Sequence, residues 1–345
     1  MTDRRPLGRT GLTVPSICLG SMMWGSQNSE AEGHAQMDYA LAHGVDFIDT
    51  AELYAIPPKA ETQGATERII GTWLKARGRR GRVILATKVV GPSQSDWHRA
   101  DGKPTRLDRK NIEEAIDASL KRLQTDYVDL YQLHWPHRAV ALFGDRAPPK
   151  GDEVPIEETL EALAGLAKAG KVRHVGLSNE TAWGLSRFLH LAETRGFPRV
   201  ASVQNAYNLL NRTYETGLAE FHAREDVGLL AYSPLGQGYL TGKYQRGARP
   251  PGARSTLYER GQRYQRPGTE EAIDEYLAVA RDFGLDPAQL ALAFVASRPF
   301  VTSTIVGVST MEQLKTNLAS REIVVTPEIE ARIDAVRQRR GDPAP

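Results

Sequence analysis

Eight short runs dominated by Val, Ile and Leu recur along this chain, each closing in small or polar residues, with helix-like stretches between them. They read SICLG at 16–20, VDFIDT at 45–50, RVILATK at 82–88, VDLYQLH at 128–134, VRHVGLSN at 172–179, ASVQN at 201–205, VGLLAYS at 227–233 and TSTIVG at 302–307. Between them the hydrophobic period lengthens: Ile112, Ile116, Leu120 and Leu123 share one helix face, as do Ile156, Leu160, Leu163 and Leu166. Apolar strands joined by helices form parallel sheets, because parallel neighbours need a long crossover. Eight such units predict an α/β fold, a (β/α)8 TIM barrel rather than a doubly wound sheet. No linker divides the chain, so one domain spanning residues 1–345 is expected.

Three connections that follow strands are long and rich in Gly, Pro and Arg. They are GPSQSDWHRADGKPTR, WPHRAVALFGDRAPPKGDEVP and YQRGARPPGARSTLYERGQRYQRPGT, after the third, fourth and seventh runs. In a barrel such connections all lie at the C-terminal face, where the chemistry sits. A mouth edged with flaps follows.

Composition narrows the partners. The 44 basic and 42 acidic residues nearly cancel to a net charge of +2, so the chain offers no overall field for nucleic acid or an anionic membrane. No apolar window approaches the roughly 20 residues needed to cross a bilayer. The single cysteine, Cys18, has no intramolecular partner, and the start MTDRRPLGRTGLTVPS lacks an apolar core of secretory length. A cytoplasmic protein is expected.

The strand ends carry the chemistry. Asp49 and Tyr54 fall at and just past the end of the second strand, Lys88 closes the third and His134 the fourth. Alone, each has a structural role: a cap, a loop aromatic, an edge charge, a half-buried imidazole. On three successive strands they bring an acid, a phenol, a cation and an imidazole to one mouth.

The stretches DTAELY, TK at 87–88, LYQLHWP, VGLSN, SVQNAYNLLNR, YSPLGQGYLTGKY and GVSTMEQLKTNL resemble, in order and spacing, the aldo-keto reductases, and the likeness runs from about residue 5 to 335. The PPKAETQGATE insertion after Tyr54 is most similar to bacterial Tas-like NADP(H)-dependent reductases, in the branch that includes potassium-channel β subunits. The resemblance implies reduction of aldehydes or ketones by hydride transfer, with a catalytic set of Asp49, Tyr54, Lys88 and His134. Charge develops on the carbonyl oxygen, so a proton donor must stand beside it. Tyr54 is the expected general acid. A phenol has a pKa of about 10, and a neighbouring ammonium, Lys88, is expected to lower it. Asp49 would hold Lys88, and His134 would orient the carbonyl.

There is no GxGxxG for a Rossmann domain, and the P-loop-like Gly165–Lys171 lacks the Ser/Thr, with Val172 in its place, and lies between a helix and a strand. The resemblance instead implies NADP(H) extended across the barrel mouth. Ser178, Asn179 and Gln204 would anchor the nicotinamide, and Tyr232 would stack on it. Ser233, Pro234, Leu235, Gly236 and Gly238 would approach the pyrophosphate, Lys243 and Arg254 the 2′-phosphate, and Gly307, Ser309, Gln313 and Asn317 the adenosine. Arg254 lies among Arg246, Arg249, Arg260, Arg263 and Arg266, and Thr316 stands where relatives often carry an acid. Trp24 is expected to wall the substrate pocket and touch the cofactor. No metal site is expected, and oligomeric state is open. Two other readings compete: a cofactor-sensing regulatory subunit, and a hydrolase using Asp49 and Glu52.

Overall fold

A computed structural model of the chain describes residues 3–258 and 262–345. Eight parallel strands close into a barrel: β1 (Ile17–Gly20), β2 (Phe47–Asp49), β3 (Ile84–Val89), β4 (Val128–Leu133), β5 (Val172–Ser178), β6 (Val200–Ala206), β7 (Gly228–Tyr232) and β8 (Val301–Gly307). β8 pairs with β1 to complete the ring. Helices cover the outside, and the two predicted apolar faces turn inward: Ile112, Ile116, Leu123, Leu160, Leu163 and Leu166 are buried against the strands. The predicted barrel is therefore the observed one.

Elements outside the eight repeats also form. A hairpin of Arg4–Pro6 and Thr13–Pro15 precedes β1. Two helices, Thr269–Asp282 and Pro287–Ala296, stand between β7 and β8, and a last helix, Pro327–Arg340, follows the barrel. The hairpin seals the barrel floor: Leu7 and Val14 join Cys18, Phe47, Ala86, Leu130, Ala201, Leu230 and Ile305 in one buried interior cluster. Gly8 makes this possible, since its φ is +55° and an added Cβ would lie 2.5 Å from Ala201 O.

Strand periodicity then sets what lies above that floor. Side chains two residues apart point the same way. Asp49 therefore follows Phe47 into the interior, Lys88 follows Ala86, and Gln132 follows Leu130. Register aligns the layers, with Asp49 opposite Ala86, Lys88 opposite Gln132 and Gln132 opposite Gly176. Space is tight at Gly176, where a Cβ would stand 3.1 Å from Gln132 Cγ and 3.2 Å from Leu130 Cδ1 and would press on both side chains. An apolar layer thus supports a polar one.

Candidate active site

The polar layer is hydrogen-bonded around one carboxylate. Lys88 Nζ donates to Asp49 Oδ2 at 2.5 Å and to Thr50 O at 2.8 Å. Asp49 Oδ1 accepts from Gln132 Nε2 at 3.0 Å and Gln204 Nε2 at 2.8 Å, and Gln204 Nε2 also reaches Gln132 Oε1 at 3.0 Å. Lys88 is 0% exposed, so it depends on this shell. Burial pushes its ammonium toward the neutral form, but Asp49 and then Tyr54 outweigh that and hold its pKa above the ordinary value.

Tyr54 and His134 stand over this layer. Lys88 Nζ lies 5.0 Å from the Tyr54 ring centroid, and the Tyr54 and His134 rings meet edge to face at 5.8 Å. Lys88 acts on the phenol in the expected direction, lowering its pKa, but it does not set the net shift. Burial is the largest influence and raises it, Lys88 only partly opposes this, and the phenol keeps its proton. Burial, and secondarily Lys88, drives the His134 imidazole well below the usual histidine range. It is neutral near pH 7, and its Nδ1 is buried with no hydrogen-bond partner among the described residues. A neutral imidazole can donate to a carbonyl oxygen without becoming a competing acid.

Above these residues opens a cleft of about 1230 Å³. A site for one drug-sized ligand occupies about 300–1,000 Å³, so this one has room for a larger or a second molecule. Asp49, Tyr54 and His134 line it together with Ser178, Asn179, Gln204, Tyr232, Ser233, Pro234, Leu235, Gly238, Lys243, Arg254, Gly307, Ser309, Gln313 and Asn317. Most of the residues expected to hold a cofactor therefore share one wall with the expected acid.

That wall is pre-shaped. Tyr232 donates from its hydroxyl to Asn179 Oδ1 at 2.7 Å, and Asn179 Nδ2 donates to His134 O at 2.9 Å. Burial pushes the Tyr232 phenol up to about 12. Ser178 Oγ donates to Gln204 O at 2.8 Å, and the Gln204 side chain is anchored through its Nε2 on Asp49. Asn179, Ser233 and Gln237 hold φ of +53°, +52° and +56°, a left-handed conformation that non-glycine residues adopt at a cost of about 1–3 kcal/mol each. Gly238, at φ +95°, lets Lys243 lie across it, for an added Cβ would be 2.9 Å from Lys243 Cε and 3.0 Å from Nζ. At the far end, Asn28 Nδ2 donates to Ser309 O at 2.8 Å, and Gln313 Oε1 accepts from Ser309 N at 2.9 Å.

Several sequence readings need correcting. Trp24 does not line the cleft: it is 1% exposed, and its indole N–H donates to Gln36 Oε1 at 2.8 Å beneath the helix Glu30–Ala42. Ser21 and Met22 line the wall instead. Gly236 is buried behind the wall, next to Tyr264. The N–H groups of Gly236 and Gly238 are already used, donating to Ser233 O and Leu235 O, each at 2.9 Å. The helix Met311–Ala319 has its Gln313 N–H taken by Thr310 Oγ1 at 3.2 Å, which reduces its capacity for an anion. Of the arginine cluster, Arg254, Arg263 and Arg266 line the cleft, Arg246 and Arg249 do not, and Arg260 lies outside the described residues. Glu52 is not a second catalytic acid. It is 1% exposed and paired through both oxygens with Arg99, which removes the basis for the hydrolase reading.

The flaps meet over the cleft. Arg266 Nη2, from the connection after β7, donates to Gly144 O in the connection after β4 at 2.8 Å. Gln27 Nε2, after β1, donates to Gly252 O at 2.8 Å. Met22, Leu53, Ile56, Trp135 and Phe143 form an apolar side, with Ser93, Ser95 and His98 beside them.

Known proteins match this chain over nearly its whole length. The model of the aldo/keto reductase family matches residues 16–338. Protein tas of Escherichia coli (strain K12) is 51% identical over 339 residues, covering 97% of this chain and 98% of that protein. The uncharacterized oxidoreductase YrpG of Bacillus subtilis (strain 168) is 34% identical over 324 residues, covering 94% and 92% respectively. A probable voltage-gated potassium channel subunit beta of Arabidopsis thaliana is 30% identical over 346 residues, covering 96% and 95%.

Proposed function

This chain belongs to the aldo/keto reductase family, and we propose that within it the protein is an NADPH-dependent reductase of aldehydes or ketones. The single observation that carries the reading is Lys88, held at 2.5 Å by Asp49 below and standing 5.0 Å from the Tyr54 ring above, at the base of the cleft. The wall from Ser178 to Asn317 would hold a reduced nicotinamide dinucleotide, which would supply the hydride. The residues there fit such a group: the buried Oε1 of Gln237, which lines the cleft, has no partner among the described residues, and the cleft-lining Lys243 and Arg254 suit phosphate.

The chain's own residues handle the proton. His134, neutral, hydrogen-bonds the carbonyl oxygen and fixes its direction. Tyr54 gives its phenolic proton to that oxygen as negative charge develops on it. Lys88 stabilises the phenolate left behind, and Asp49, braced by Gln132 and Gln204, keeps Lys88 in place. Met22, Leu53, Trp135 and Phe143 favour a substrate with apolar bulk beside its carbonyl. Among the described residues no helix is long and apolar enough to cross a membrane. A cytoplasmic, single-domain reductase suits the unpaired, buried Cys18.

NADPH oxidation with a panel of aldehydes tests this. Turnover that disappears in Tyr54→Phe supports it, and full turnover in that variant overturns it. A second reading, a cofactor-binding regulatory subunit, draws on the relative described as a probable channel subunit beta. Tight NADPH binding with negligible turnover and a co-purifying partner would favour that reading.

A further inference from the structure

The buried Glu52–Arg99 pair does more than fill space, because its two ends belong to different parts of the site. Glu52 stands two residues before Tyr54. Its N–H donates to Lys88 O at 3.2 Å, and its Oε1 accepts from Val90 N at 2.6 Å. Past the end of strand pairing, then, the segment carrying the phenol is stitched to the strand carrying the ammonium, partly through this carboxylate.

Arg99 approaches from the connection after β3. Nη1 donates to Glu52 Oε2 at 3.0 Å, Nη2 to Glu52 Oε1 at 3.1 Å, and Nε to Asn111 Oδ1 at 3.0 Å at the start of the next helix. The Arg99 and Glu52 side chains are 2% and 1% exposed. A two-pronged pair of this kind fixes angle as well as distance. At its base the same connection is closed by Thr105, which donates from Oγ1 to Gly91 O at 2.6 Å and from N to Ser93 O at 3.0 Å. Its Ser93, Ser95 and His98 line the cleft beside Tyr54. His98 is the residue before Arg99, and its carbonyl accepts from Arg99 Nη1 at 2.9 Å.

From these contacts we infer that Glu52 and Arg99 are positioning residues, a clamp that makes the placement of the substrate-side connection and the placement of Tyr54 over Lys88 a single structural event. Neither side chain lines the cleft. Both act through Tyr54 and His98. A connection displaced from Arg99's socket therefore carries Tyr54 out of line with Lys88, so the acid is correctly set only when the substrate wall is in place.

The inference rests on the reductase reading, and its test separates the two. Arg99→Lys keeps the buried charge but not the fork. The pair Glu52→Gln with Arg99→Met removes both charges together, which buried pairs tolerate far better than loss of one partner. Both proteins are expected to melt near the wild type and to bind NADPH with unchanged affinity. Their kcat is expected to fall about 10- to 100-fold, the scale of a misplacement near 1 Å, with a displaced pH profile. Wild-type kcat and pH profile in both folded variants would overturn the clamp. As a readout free of turnover, fluorotyrosine is placed at position 54 and followed by fluorine NMR. A moved resonance with a shifted titration midpoint in Arg99→Lys is expected, and an unmoved one overturns the inference. If the wild type reduces no carbonyl compound, the reductase reading fails, while the fluorine signal still decides the clamp.

Discussion

Lys88 Nζ lies 2.5 Å from Asp49 Oδ2 inside the barrel, with neither side chain more than 3% exposed. The two partners are not equally dependent on each other. Asp49 retains two amide N–H donors if the lysine is removed, whereas Lys88 without Asp49 keeps the Thr50 carbonyl but loses its counter-charge. Asp49→Asn should therefore destabilise the fold by about 3–5 kcal/mol, the cost of an uncompensated buried charge. Lys88→Met should lose less, and Asp49→Asn with Lys88→Met should recover much of the loss. Urea unfolding of the three proteins measures this, and all three should be inactive.

A second prediction concerns acid. His134 is held well below the ordinary histidine range by burial first, and His98, His137 and His174 are lowered in the same way. Below pH about 6.5 the unfolded chain takes up protons at these positions while the folded chain does not. Stability therefore rises with pH through that window and falls on acidification, by up to about 1.4 kcal/mol per pH unit for each such histidine. His134→Gln should flatten the slope of unfolding free energy below pH about 6.5, the unshifted histidine value. In mildly alkaline buffer it should leave that slope unchanged.

Gly238 and Lys243 make a third case. A methyl group at 238 meets only the flexible end of Lys243, at 2.9 Å from Cε, so the backbone has no need to move. The left-handed φ of +95° adds about 1–3 kcal/mol of strain. Gly238→Ala should remain folded but push the ammonium aside. NADPH should bind about 10- to 100-fold more weakly, the scale of a lost charged hydrogen bond. Quenching of tryptophan fluorescence reads the change.

Arg254 should separate the two nicotinamide cofactors. A guanidinium pairs with a phosphate through two parallel hydrogen bonds, which NADH cannot offer at its ribose. Arg254→Ala should weaken NADPH by about tenfold or more, roughly one charge-assisted hydrogen bond, and leave NADH nearly unaffected. Equal losses for both would exclude Arg254 from the 2′-phosphate.

Much of this was legible in the sequence, and the limits follow from physics. Period-two alternation sets which side chains share a face, so Asp49 above Phe47 and Lys88 above Ala86 could be expected at one mouth. The same rule carries Gln132 inward with Leu130. Yet β4 holds a second polar residue, Asp129, which pairs outside the barrel with Arg80 and Arg173, and the strand alone does not say which of the two faces in. Only the register against Lys88 decides it.

The Trp24 reading failed for a different reason. A loop after a strand has no fixed period, so nothing in MMWG tells which side chain enters the cleft, and the helix Glu30–Ala42 claims the tryptophan. Glu52–Arg99 joins residues 47 positions apart, and pairing across such a distance leaves no local signal. The net rise of the Tyr54 pKa depends on burial, which is a property of the whole cleft rather than of the residues near Tyr54 in sequence.

The hairpin under the barrel, with Leu7 and Val14 buried in its floor, stoppers the end opposite the cleft. A molecule that reaches Asp49 and Tyr54 through the cleft leaves on the side by which it came. Arg266 and Gly144 tie together two of the connections that edge that side.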